Sequence, residues 1–325
     1  MPPPLLQVRN LTTRFNTERG QVTAVDDVSF DIDAGETVAI VGESGSGKSV
    51  TALSIMRLIP SPPGRIECGE VVFEGADLCK LDDAGIRAVR GNKIAMIFQE
   101  PMSSLNPALT VGMQISEPIN LHRGTAWAKA MEEAKQLMGR VRIPDAASRL
   151  ASYPHQYSGG MRQRVMIAMA LACRPRLIIA DEPTTALDVT VQAQILDLLK
   201  ELTRETGSSL LLITHDLGVV ARYADRVAVM YGGRIVETAP ARELYQHPHH
   251  PYTLGLLACV PRLDGDTSQY LVPIEGQPPD LAHLPAGCAF SPRCRRVTDV
   301  CRSARPPLVE VGARHCKACF NDATA

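Results

Sequence analysis

The feature that most constrains this chain is one octet, Gly42-Glu43-Ser44-Gly45-Ser46-Gly47-Lys48-Ser49, which fits G-x-x-x-x-G-K-[ST]. Ordinary residue usage produces that pattern by chance in roughly one chain in a hundred of this length. Its flanks supply the context that gives the pattern meaning. Residues 37–41 form a short apolar run of the kind found in buried parallel strands, and a helix-competent stretch runs from Lys48 to about Ile59, closed by Pro60, Pro62 and Pro63. A strand that enters a glycine-rich turn and leaves as a helix offers a phosphate a row of backbone N–H groups and the positive end of a helix. Gly42, Ser44, Gly45, Ser46 and Gly47 are expected to cradle phosphate oxygens. Lys48 is expected on the β- and γ-phosphates and Ser49 on Mg2+, with the Val50 amide in the same helical turn. The octet predicts a nucleotide site.

The surrounding chain predicts an α/β fold. Two more short apolar runs, 177–180 and 210–213, flank a segment in which Val191, Ile195, Leu198, Leu199 and Leu202 recur at helical spacing. Strand, helix, strand in that order implies a parallel sheet covered by helices. Residues 126–138 and 161–171 are rich in strong helix formers, so a helical insert over about residues 100–172 is expected to interrupt the core. After Tyr252 the periodicity fades and prolines multiply, among them Pro261, Pro273, Pro278, Pro279, Pro285, Pro292, Pro306 and Pro307. The main domain is therefore expected to cover residues 1–255, with 256–325 as a C-terminal extension.

Two further segments carry chemistry. An apolar run ends in Asp181-Glu182, which places two carboxylates where α/β sheets bind ligands. Asp181 suits a Mg2+ shell, and Glu182 suits a base acting on an attacking water. Tyr157-Ser158-Gly159-Gly160-Met161 opens a predicted helix and forms a second anion-ready terminus. A chain that already has one phosphate loop needs a partner molecule to use it.

Composition narrows the class. With 45% hydrophobic and 21% charged residues among 325, the chain has ample core material and is not a disordered tail protein. Thirty-four basic against 35 acidic side chains leave no global excess for nucleic acid. No run reaches the roughly 18 apolar residues of a membrane span, and the start lacks a secretory pattern, so a cytosolic setting with reduced thiols is expected. Of nine cysteines, Cys288, Cys294, Cys301, Cys316 and Cys319 crowd the last 38 residues, as a metal or iron–sulfur site would.

The three motifs in this order, with Gln99 between the first two and His215 in Thr214-His215-Asp216 after the third, resemble the ATP-binding cassette (ABC) ATPases over about residues 5–255. The resemblance implies a P-loop NTPase fold: a RecA-like parallel-sheet core, an antiparallel β subdomain and a helical subdomain. It implies two cassettes paired head to tail around two ATP molecules, each site combining the phosphate loop of one with the serine-glycine signature of the other. Phe15 resembles the aromatic that stacks on adenine, with a core packing role as the alternative. Gln99 resembles the residue that reaches Mg2+ and the attacking water while sensing the membrane subunits. Ser158, Gly159 and Gly160 are then placed on the γ-phosphate of the opposite cassette. Asp188 resembles the loop that links the two sites, and His215 the switch histidine on the γ-phosphate. Catalysis by Glu182, His215, Gln99 and Lys48 follows. The signature departs from the common pattern at Tyr157 and Met161, which spares the serine and glycines.

Residues 98–107, 153–161 and His247-Pro248-His249-His250-Pro251-Tyr252-Thr253 are similar to the dipeptide/oligopeptide importer branch, whose pattern nickel importers share in large part. That branch implies an ATPase that energises peptide import from the cytoplasmic face of the membrane. Its implied partners are a second, homologous cassette, two transmembrane permeases and an external peptide-binding protein, with no nucleic acid. Its tail is associated with a [4Fe–4S] cluster, implying Cys288, Cys294, Cys301 and Cys316 as ligands, with Cys319 as a fifth candidate and structural zinc as the alternative. A soluble cassette protein of translation or DNA repair fits less well, because the chain has one phosphate loop and no extended heptad run. A purely regulatory nucleotide- and metal-sensing module fits poorly with an intact Asp181–Glu182 pair and His215.

Overall fold

The structure is a computed structural model that describes residues 3–18, 20–185, 187–260 and 273–321. Pro261, named among the tail prolines, and Ala186, two residues before Asp188, lie outside the described residues. The chain divides into two units: Met1–Ile32 with Thr37–Cys79 and Ile213–Ala325, and Asp33–Glu36 with Lys80–Leu212.

In the first unit the strands Leu6–Thr17 and Gly20–Ile32 are β-rich, and their inward residues Leu6, Val8, Leu11, Val25, Val28 and Ile32 are completely buried. They form an antiparallel sheet in the order Gly20–Ile32, Leu6–Thr17, Gly64–Phe73, Ala76–Asp77. The apolar run read from the sequence is the strand Thr37–Val41, which pairs in parallel with Arg226–Tyr231. Continuous apolar residues suit it because both faces are covered, and Val38, Ala39, Ile40 and Val41 are all essentially inaccessible. Arg234–Pro240 then pairs antiparallel with Arg226–Tyr231. The proline-rich tail is more regular than its composition suggests. It adds His315–Lys317 beside Arg234–Pro240 (Glu237 opposite Lys317, Thr238 opposite Cys316) and Val309–Gly312 beyond it.

The helix after the octet spans Lys48–Ile55, shorter than the sequence suggests. Arg57 takes φ 51°, and the Leu58 amide donates back to Leu53 O at 2.8 Å, closing the end before the prolines.

In the second unit Ile94–Ile97 pairs in parallel with Leu177–Asp181, next to which lies Ser209–Thr214. All five residues of Leu177–Asp181 are buried. The insert is helical: Val111–Arg123, Trp127–Arg140 and Gly159–Leu171 pack on one another through Ile115, Ile119, Ala130, Ala134, Met138 and Ile167. Burying each isoleucine or methionine among them contributes about 1.5–3 kcal/mol, and each alanine about 0.8 kcal/mol. The helix Val189–Thr206 buries Ile195, Leu198, Leu199 and Leu202 at the expected spacing and stops at Gly207 in the left-handed region. Among the described residues no helix is long and apolar enough to cross a membrane.

Candidate functional site

The octet forms a tight loop between Thr37–Val41 and Lys48–Ile55. Gly47 is the N-cap at φ 105°, and a Cβ there would lie 2.3 Å from Ala24 O and 2.7 Å from Met230 Cε. A Cβ on Gly42 would lie 2.2 Å from Met230 O. Only glycine fits either position. Lys48 is 4% exposed, and its ammonium donates to Gly42 O (2.8 Å) and Glu43 O (2.9 Å), so the loop closes around its own cation. The hydroxyl of Ser46 is buried without a hydrogen-bond partner. A buried hydroxyl with no hydrogen-bond partner, in a loop that closes on a buried ammonium at a helix N-terminus, has the chemistry that suits a phosphate.

Phe15 is half-buried at the end of Leu6–Thr17, opposite Gly64, where a Cβ would meet its ring at 2.6 Å. His215 is exposed directly after Ser209–Thr214. Its turn is held rigid by Asp216, whose amide donates to Thr214 Oγ1 (3.0 Å) and whose carboxylate caps the next helix at Gly218 N (2.7 Å).

In the second unit the parallel pairing of Ile94–Ile97 with Leu177–Asp181 brings Gln99 to Glu182. Gln99 Nε2 donates to Glu182 Oε2 at 3.2 Å, and Thr185 Oγ1 donates to the same oxygen at 2.9 Å. Glu182 adopts φ 44°, the left-handed region, where a side chain costs about 1 kcal/mol or more. Asp181, one residue earlier, is 5% exposed. A strained carboxylate fixed by two side chains at the end of a buried strand has the geometry of a base rather than a surface charge. Thr185 was not singled out by the sequence, because a threonine three residues after a carboxylate carries no distinctive signal.

Ser158 caps Gly159–Leu171 through its hydroxyl, which accepts from Met161 N at 3.4 Å, and both Ser158 and Gly159 are exposed. Gly160 sits where a Cβ would meet Val191 Cγ1 at 2.9 Å. Tyr157 is 2% exposed and donates to Arg149 O at 2.6 Å, which explains how a tyrosine is accommodated there. Asp188 caps Val189–Thr206 by accepting from Val191 N at 2.9 Å.

In the tail, Cys288, Cys294, Cys301 and Cys319 line one cavity of about 10 Å³ together with His250. Burial pushes the Cys288 thiol up to about 11, and the thiols of Cys319, Cys301 and Cys294 around it add to the shift. Cys294 and Cys319 are raised by burial first as well. Four thiols gathered around one small cavity form a soft sulfur donor set. Among the described residues, however, no three His, Cys, Asp or Glu side chains already stand at metal-holding positions, and the cavity is water-sized. Cys316, a member of the expected ligand set, stands apart from the other three. It lies on the strand His315–Lys317, hydrogen-bonded to Thr238, and does not line this cavity.

The histidine run is anchored at His249 and His250, of which His250 is buried. Glu237, fully buried, accepts from His249 N (2.6 Å), His250 N (3.0 Å) and His315 Nε2 (2.8 Å). His250 Nδ1 accepts from Tyr252 N, capping the helix Pro251–Ala258. Burial pulls the His250 pKa down to about 3, which keeps the ring neutral.

A family profile described as "ABC transporter" matches residues 25–185, and one described as "Oligopeptide/dipeptide transporter, C-terminal region" matches residues 236–301. A putative peptide import ATP-binding protein of Brucella melitensis is 53% identical, covering 98% of this chain and 97% of its own length. The oligopeptide transport ATP-binding protein OppD of Haemophilus influenzae is 51% identical over 98% and 97%. The dipeptide transport ATP-binding protein DppD of Bacillus subtilis is 53% identical over 93% and 90%. Among solved structures, the dimeric post-hydrolysis state of the ATP-binding cassette MJ0796 bound to ADP and Pi matches 73% of this chain and 99% of its own, with TM-score 0.66 and 30% identity.

Proposed function

We propose, for a chain that belongs to the oligopeptide and dipeptide branch of the ABC transporter ATPases, that it hydrolyses ATP to energise the import of short peptides. The observation that carries the reading is Glu182, held by Gln99 and Thr185 at the end of a buried strand. In this reading the amides of Gly45–Val50 and the Lys48 ammonium bind the β- and γ-phosphates. Ser49, Asp181 and Gln99 would hold Mg2+, which when bound would neutralise phosphate charge. Glu182 orients the attacking water and takes its proton; His215 steadies the γ-phosphate and Phe15 stacks on the adenine. Ser158, Gly159 and Gly160 act on the nucleotide of a second, homologous cassette, and Asp188 links the two sites. The exposure of the Ser158–Gly159 helix start supports that assignment.

The remaining partners follow from the branch: two membrane permeases, fed by an external peptide-binding protein, with this chain on the cytoplasmic face. A groove of about 290 Å³ lined by Met96, Phe98, Leu121, Met166 and Met169 supports the permease contact. Phe98 is 38% exposed and directly precedes Gln99, so an apolar permease helix seated there would act on the residue that holds Glu182. In the tail, Cys288, Cys294, Cys301 and Cys319 would supply the thiolates for a [4Fe–4S] cluster or for zinc, and such a group would cross-link the tail.

The test is Glu182→Gln in the assembled transporter. ATP binding should persist, while phosphate release falls by at least a hundredfold. Turnover at the wild-type rate would remove Glu182 from the mechanism.

A further inference from the structure

Glu43, the second residue of the phosphate loop, is held at three points. Its amide donates to Tyr252 OH (2.8 Å), its carbonyl accepts from Lys48 Nζ (2.9 Å), and its carboxylate is gripped by Arg293, with Nη1 to Oε2 at 2.6 Å and Nη2 to Oε1 at 3.0 Å. Arg293 comes from the tail, at the end of the short turn Ser291–Arg293 between Cys288 and Cys294. Its side chain is only 5% exposed. Every N–H of its guanidinium has an acceptor: beyond Glu43, Nε donates to Glu275 O (3.0 Å), Nη2 to Ile274 O (3.3 Å) and Nη1 to Tyr231 OH (3.4 Å). The guanidinium also lies 5.9 Å and 6.0 Å from the ring centroids of Tyr231 and Phe290. Tyr231, Tyr252 and Phe290 pack on one another at 4.5–5.4 Å, so the fork has a rigid base. The bonds from Glu43 raise the Arg293 pKa above its ordinary value despite burial.

We propose that Arg293 is a positioning residue for nucleotide binding: the tail fixes Glu43 and, through it, the resting shape of the phosphate loop and the place of Lys48. This rests on reading the octet as the phosphate site. A planar five-donor fork suits the task, since it sets the carboxylate in both distance and orientation. A loop shaped in advance does not have to be ordered when nucleotide arrives, and that is where affinity is gained. It makes ATP affinity depend on a residue 250 positions along the chain from the loop.

The test is a double-mutant cycle in the full-length chain, read by titration with a fluorescent ATP analogue in the presence of Mg2+. Arg293→Gln and Glu43→Gln should each weaken binding about tenfold, and the double variant should be no worse than either alone. Glu43→Gln leaves the three Arg293 bonds to Glu275 O, Ile274 O and Tyr231 OH in place, so it carries the test if Arg293→Gln does not fold. Binding within twofold of wild type by either single variant, or losses that multiply to about a hundredfold in the double variant, would overturn the proposal. Lys48→Ala belongs in the same assay. If it abolishes binding while Arg293→Gln binds normally, the clamp alone is refuted; if Lys48→Ala binds normally, the phosphate-site reading falls and the clamp with it.

Discussion

Replacing Glu237 with alanine tests how the tail is fastened to the rest of its unit. The carboxylate is fully buried and accepts from the His249 and His250 amides and from the His315 ring. Alanine leaves three donors without an acceptor in a region where His250 and His315 are themselves 1–2% exposed. Each orphaned donor costs about 1–3 kcal/mol, and water entering the vacated space offsets part of the sum, so the net loss is about 4 kcal/mol. For a protein of this size that lowers the first melting transition by about 10 °C. Glu237→Gln keeps one good acceptor and turns an NH2 group toward a donor, so its loss should be about half as large. The assay is thermal unfolding followed by near-ultraviolet circular dichroism, with urea midpoints as a check. A Glu237→Ala variant that melts within about 2 °C of wild type, or a glutamine variant less stable than the alanine one, would refute the reasoning.

Three further outcomes follow. Gly47→Ala forces a side chain into φ 105° and to 2.3 Å from Ala24 O, so it should destabilise the chain by about 3 kcal/mol or more and abolish binding of a fluorescent ATP analogue; unchanged titration would contradict the packing at the N-cap. Cys319→Ser should lower bound iron or zinc in anaerobically purified protein by at least half, whereas Cys316→Ser should leave it unchanged, and the reverse pattern would restore the set implied by the family resemblance. Tyr157→Phe removes the donor to Arg149 O and should cost about 1 kcal/mol in urea unfolding; a shift below a few tenths would mean that water replaces the hydroxyl.

What the sequence made legible was local. The strand Thr37–Val41, the loop and the start of the helix at Lys48 are written in consecutive residues: an apolar run, glycines, a lysine. The same holds for Leu177–Asp181 and for the spacing in Val189–Thr206. Illegible were the features set by pairing between distant segments. His315–Lys317 is three residues long and has no periodicity to read; it is a strand because Arg234–Pro240 offers it an edge. Cys316 and Cys319 are equivalent by spacing, and strand pairing separates them by fixing Cys316 against Thr238. Arg293 resembled any arginine of a proline-rich tail, and Glu43 occupied a variable place in the octet. Gln99 was visible among the residues that hold others in place, whereas Thr185 and Arg293 were not.

The two tail strands have a consequence for how the chain can be shortened. They cover the open side of Arg234–Pro240, and the outermost, Val309–Gly312, carries Glu310 on the rim. Trimming the protein back to its cassette would bare a row of backbone groups with hydrogen-bonding appetite and no cover, the kind of border at which chains stack on one another. The extension therefore also serves as a hem, guarding solubility whatever its cysteines hold.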